Sequence, residues 1–135
     1  MKLIACIDEN CGLMFNKRRV SSDVAVIDRI TEIVGDGKIL VNSYSAPLFI
    51  GKADNIVVDD DFLIKAETED YCFVENADIT EHLVGVTELI LYHWNRKYPS
   101  DFKFPKEAAI KGKKLISTSE FSGNSHEKIT EEVYR

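Results

Sequence analysis

Five short apolar runs, bounded by turn-forming or polar residues, constrain this chain more than any other feature: residues 3–7, 39–41, 56–58, 72–74 and 89–91. Each is too short for a helix, and most hardly alternate between apolar and polar, so they read as strands buried in the middle of a sheet. Helical patterns separate the first of them. Ser21 and Ser22 offer an N-cap, Asp23 falls in the first turn where a carboxylate suits the helix dipole, and Ile27, Ile30 and Val34 recur at helical spacing. Gly35-Asp36-Gly37 ends that helix. Pro47 behind Ser45 fits a short helix start, and Asp78 with Glu81 has capping-box spacing for another through about Val84. Residues 8–19 read as a long polar loop around Gly12, and residues 98–114 as a Lys-rich irregular stretch. The chain closes on a hairpin, Ser119-Glu120-Phe121, a Ser-Gly-Asn-Ser turn, and a strand reaching Tyr134-Arg135. Strands alternating with helices and then an antiparallel pair imply an α/β domain with a mostly parallel central sheet and an antiparallel C-terminal hairpin.

The 135 residues form one domain, 1–135, with no internal repeat or linker. A chain of this size buries roughly two thirds of the surface its unfolded form exposes, so it needs neither disulfide nor metal to fold. No run approaches the ~20 apolar residues of a membrane span. The N-terminus turns acidic at Asp8 and carries no cleavage site, so it reads as a first strand, and a cytoplasmic location is expected. Cys6, Cys11 and Cys72 form no Cys-x-x-Cys pair and read as free thiols in a reducing compartment. A formal charge of −6 argues against general nucleic-acid binding, which needs surplus Lys and Arg, and suits a basic partner.

Three stretches carry a resemblance. The first is the opening strand with the Gly12 loop and Asn16. The second is Leu89-Ile90-Leu91-Tyr92-His93 followed by Asp101-Phe102-Lys103-Phe104-Pro105, and the third is the Ser-Glu-Phe to Asn-Ser-His hairpin. In this order and spacing the chain resembles dihydrofolate reductase along nearly its whole length, which implies that family's three-layer fold. It is shorter than typical members, with little room between Asp61 and Tyr71 for the strand and helix expected there.

The resemblance also implies where a site would lie. The family holds the pterin ring with an acid on its first helix, and Asp23 is the nearest match; the other reading of Asp23 is a first-turn helix carboxylate. On the cofactor side the family's Gly-Gly pair, which lets backbone approach the pyrophosphate, is replaced by Glu75-Asn76-Ala77. Asn42-Ser43-Tyr44-Ser45 supplies no cation where the family has a basic residue, and Asp59-Asp60-Asp61 stands where the 2′-phosphate would sit. Acids in those places repel a phosphate-rich ligand. No NADPH is expected to bind, and no other cofactor is implied.

What remains are two readings. One is a non-catalytic binding protein, with a protein partner such as a toxin or enzyme it regulates, or a small anionic ligand. The other is an enzyme using the old substrate cleft, with Asp23 as acid and Arg18 or Arg19 as clamp. Candidate ligand-binding residues are Asn16, Lys17, Arg18, Arg19, Asn42, Tyr44, Glu75 and Asn76. Bidentate arginine contacts to a carboxylate or phosphate make the Lys17-Arg18-Arg19 cluster the focus; the other reading of the cluster is a solvated loop. Trp94, Arg96 and Tyr98 form a candidate partner patch of aromatic and cationic character, with Trp94 alternatively capping the core. A zinc ribonuclease is excluded, because His82, His93 and His126 stand apart and no di-zinc ligand run exists. No metal is expected. The identity of the target and the oligomeric state stay open.

Overall fold

The computed structural model describes residues 1–135. The central sheet has seven strands: β1 (Lys2–Ile7), β4 (Ile39–Val41), β5 (Ile56–Val58), β6 (Tyr71–Phe73), β7 (Glu88–His93), β9 (Leu115–Phe121) and β10 (Ile129–Tyr134). Their spatial order is β5-β4-β6-β1-β7-β10-β9. β1 runs parallel to β6 and β7, and β4 parallel to β5 and β6. β10 is antiparallel to both β7 and β9, which makes the C-terminal hairpin expected from the sequence. A smaller antiparallel sheet is built from β2 (Gly12–Phe15), β3 (Arg18–Arg19) and β8 (Phe102–Lys103).

The two-residue strand period divides the core into two layers. Leu3, Ala5 and Ile7 of β1 join Leu89 and Leu91 of β7 on one face, where Phe62, Leu63, Ile79 and Ala109 cover them. Ile4, Ile90 and Tyr92 point to the other face, against α1 (Val24–Val34), whose Val26, Ile27, Ile30 and Val34 are buried. The helix is also tied down by charge. Arg29 reaches the buried Glu131 of β10 through Nε at 2.8 Å and a terminal nitrogen at 3.1 Å, and the Tyr92 hydroxyl donates to the same carboxylate at 2.9 Å. That bidentate geometry is the stronger form of ion pair.

Several details differ from the sequence reading. Ile56–Val58 is the edge strand and not a central one; Val58 is 51% exposed because nothing packs outside it. A short apolar run is compatible with either place, since it reports β propensity and not the number of neighbours. Asp23 is the N-cap of α1, ahead of the first turn, with its side chain accepting from the Ala25 amide at 2.9 Å. The segment after Asp78 is a 3₁₀ helix, Thr80–Gly85, with no buried residue. Asp78 accepts there from the Thr80 amide and hydroxyl, so the acid serves a turn and no capping box forms.

The two segments read as loops are ordered together. Residues 8–19 contain the β2–β3 hairpin, and the Lys-rich stretch contributes β8 and the one-turn α3 (Lys106–Ile110). Leu13, Met14 and Phe104 anchor this layer, at 3–5% exposure. Gly12 is required for the approach, since a β-carbon there would lie 2.7 Å from Ser100 Cβ and 2.9 Å from Asp8 Oδ1. Between Asp61 and Tyr71 there is room only for the single turn α2 (Phe62–Lys65).

Candidate functional site

In an open α/β sheet a ligand belongs in the crevice beyond the carboxyl ends of the parallel strands. Here that crevice lies between the small sheet, the ends of β6 and β7, and the N-terminus of α1. Its apolar walls are Cys6, Leu13, Val26, Ile27, Leu48 and Phe73, and its polar rim is Arg19, Ser21, Ser22, Asp23, Glu75 and Trp94. The cavity left between them is only about 10 Å³. That is room for about one water, against the ~300–1,000 Å³ of a ligand pocket.

The chain's own side chains fill the space. Glu75, 8% exposed at the end of β6, takes Arg19 in a bidentate pair, with Nε at 2.8 Å and a terminal nitrogen at 3.1 Å. The Ser45 hydroxyl donates to the same carboxylate at 2.7 Å, and the Arg19 amide donates to the Tyr44 hydroxyl at 2.9 Å. The guanidinium sits 4.7 Å from the centre of the Tyr44 ring, a cation–π distance. The hydrogen bond to Glu75 raises the Arg19 pKa against the opposing effect of burial. Arg19, Tyr44 and Glu75 are therefore brought together, as a plug across the cleft. Ser45, read from the sequence as a cap, is part of that plug and caps nothing.

The other candidate ligand residues are placed around this plug. Asn42 and Asn76 bond each other at 2.7 Å, which closes the gap between the loops after β4 and β6. Asn16 and Lys17 form the tip of the β2–β3 hairpin at φ 51° and 64°, and the Asn16 amide donates to Asp101 at 3.0 Å. They border an open groove of about 420 Å³ shared with Asn76 and Asp101. Lys17 and Arg18 are exposed and make no ion pair, unlike Arg19.

The loop after β5 is held by its acids. Asp60 accepts from the Ser43 amide at 2.8 Å and from its hydroxyl at 3.1 Å, and Asp59 pairs with Lys65 at 2.6 Å. That lysine offsets one of the three carboxylates and lowers the Asp59 pKa through its hydrogen bond. Asp60 and Asp61 remain without a cation.

Asp23 occupies a different setting from an acid facing a ligand. Its carboxylate is buried and accepts five hydrogen bonds: from the amides of Ala25, Asn124 and Ser125, from the Ser125 hydroxyl, and from His126 Nδ1 at 2.8 Å. Burial by itself would raise its pKa, but the bonds from Asn124, His126, Ser125 and Ala25 outweigh it and hold the group well below the usual carboxylate range. Gly123 makes the hairpin approach possible, because a β-carbon there would come within 2.5 Å of Asp23 Oδ2.

The other ring nitrogen of His126, Nε2, lies 2.9 Å from Ser21 Oγ and 3.2 Å from the Tyr98 hydroxyl. Trp94 stacks on this imidazole at 4.5 Å between centroids. It is 2% exposed, so of the two readings of Trp94 the core position is the one realised, and only Arg96 and part of Tyr98 face solvent. The Trp94 Nε1–H is buried with no acceptor. In the sequence Ser21 reads only as an N-cap and His126 only as part of the closing hairpin; no local pattern links a histidine to an acid 103 residues away.

Cys6 and Cys72 are held protonated by burial, Cys72 with its pKa pushed up to about 12. No cluster of three or more His, Cys, Asp or Glu side chains has metal-holding geometry. No helix is long and apolar enough to cross a membrane.

The sequence matches no protein-family model and no curated protein. Among solved structures the chain is similar to dihydrofolate reductase from Enterococcus faecalis, complexed with NADP(H) and RAB-propyl. The TM-score is 0.66 at 10% identity, over 99% of this chain and 95% of that one. The match spans nearly the whole of both chains. The chain has a dihydrofolate reductase-like α/β fold.

Proposed function

We propose that this chain is a binding protein built on the reductase fold, and not an NADPH-dependent reductase. One observation carries the reading: the cleft where the fold would take a ring-sized substrate is reduced to about 10 Å³ by the Arg19–Glu75–Ser45 plug. Asp23 is likewise spent on holding the hairpin, with its lone pairs occupied by protein donors. On the cofactor side the Arg19–Glu75 pair fills the place of the backbone approach to a pyrophosphate, and Asp60 and Asp61, which have no cation, disfavour a 2′-phosphate.

The target engages the outside of this closed cleft. Lys17 and Arg18 are its free cations, on a hairpin beside the groove of Asn16 and Asn76. An acidic segment of a protein partner or a small anionic ligand fits that chemistry, while the net charge of −6 disfavours nucleic acid. The free cysteines fit a cytoplasmic setting.

Calorimetry with NADPH tests the reading. No saturable heat is expected up to millimolar cofactor, and the midpoint of thermal unfolding should not move. Saturable binding, with a rise of several degrees, would mean that the cofactor site survives and would make the reductase reading the better one.

A further inference from the structure

We infer that Ser21, His126 and Asp23 form an acyl-transfer relay at the mouth of the closed cleft, with Ser21 as nucleophile toward small esters or thioesters. This goes beyond the binding reading and does not depend on it. The chain of contacts is continuous: Ser21 Oγ to His126 Nε2 at 2.9 Å, then His126 Nδ1 to Asp23 Oδ2 at 2.8 Å. A serine is activated by a base within hydrogen-bond reach that is in turn oriented by a third group, and these three residues fill those roles.

The roles are fixed by chemistry. A carboxylate only accepts, so Nδ1 carries the proton toward Asp23, and Nε2 of the neutral ring is left to accept, with the Ser21 hydroxyl at 2.9 Å the nearer donor and the Tyr98 hydroxyl at 3.2 Å the farther. Asp23 stays ionised and can stabilise an imidazolium. The Trp94 ring and the hairpin hold the imidazole in place, and both His126 and Asp23 are buried while Ser21 is half-buried at the surface. The Trp94 indole N–H is buried without an acceptor, and the residue lines this cleft. The amides of Ser22 and Asp23 likewise make no hydrogen bond within the chain.

The cleft keeps room for only about one water-sized group, which limits the acyl part to a short chain such as acetyl. In the reaction the Ser21 oxygen adds to the carbonyl carbon while its proton passes to His126 Nε2. The bond to the alcohol or thiol then breaks, and the leaving group takes that proton. Water adds to the acyl-serine by the same relay, releasing the carboxylic acid and restoring Ser21.

Incubation of the full chain with a fluorophosphonate, followed by intact mass and peptide mapping, tests this. One adduct on Ser21 is expected, absent in Ser21→Ala and retained in Ser119→Ala on the exposed β9. Hydrolysis of p-nitrophenyl acetate should fall by ~100-fold or more in Ser21→Ala, the scale of a lost general-base-assisted nucleophile. His126→Gln should slow labelling to a similar degree; if it does not fold, the Ser21→Ala comparison decides alone. No adduct, an adduct on another serine, or ester hydrolysis equal in wild type and Ser21→Ala would overturn the relay.

Discussion

Asp23→Ala should cost about 3–5 kcal/mol, a large part of the ~5–15 kcal/mol that holds a domain of this size together. The substitution removes the N-cap of α1, worth typically ~1 kcal/mol. It also strands the amides of Asn124 and Ser125, which lose their acceptor on Asp23, and leaves His126 Nδ1 with only the Ser125 hydroxyl, 3.2 Å away. The melting midpoint should fall by roughly 10–20 °C. A pH series gives an independent check. The folded Asp23 has a depressed pKa, so the unfolded chain binds its proton first as pH falls. Its contribution is complete above the unfolded value, near ~4, and is lost as pH drops from there toward the folded pKa. Urea melts from pH 7 to 3 should show wild type losing stability below about pH 4. Glu131 and Glu132 shift in the same direction and add to the loss, so the slope should flatten but not vanish in Asp23→Ala. A variant as stable as wild type at pH 7 would mean that the hairpin does not depend on this acid.

The plug gives the second large effect. Glu75→Ala leaves the Arg19 guanidinium, whose side chain is 26% exposed, beside the cleft without its carboxylate. Removing one partner of such a pair is expected to cost about 2–4 kcal/mol, discounted for the part of Arg19 that solvent reaches. Replacing both, as Arg19→Met with Glu75→Met, should cost clearly less than the two single changes summed. Two apolar chains can fill the same volume, and no charge is left behind. Chemical denaturation of wild type, Arg19→Met, Glu75→Met and the double variant gives the coupling directly, and additive single costs would show that the two residues act independently.

What the sequence made legible follows from the range of each interaction. The residue 3–7 and 89–91 runs pair in the middle of the sheet, as expected, because β propensity and continuous apolarity are local signals. The closing hairpin was readable from its turn. Ile56–Val58 carries the same local signal but takes the edge, since only the sheet order decides how many neighbours a strand has. The site was less legible. Arg19 and Glu75 were both candidates, yet their pairing joins a hairpin to the end of β6, 56 residues away, and neither charge alone says that it will face inward. Trp94 was readable as anchor or core with equal justice; its stacking on His126 settles the matter only in three dimensions. Asp23 lay at the right point of the chain, but the hairpin amides that claim it are more than a hundred residues on.

On the proposed binding reading, the reductase fold persists here without its chemistry. The most direct test of that reading is turnover: purified chain with NADPH and dihydrofolate, followed at 340 nm. Oxidation is expected at the rate of the enzyme-free mixture, because the cleft is filled and Asp23 is occupied. Dihydrofolate-dependent oxidation at even about 1 s⁻¹, the lower end for ordinary enzymes, would contradict it.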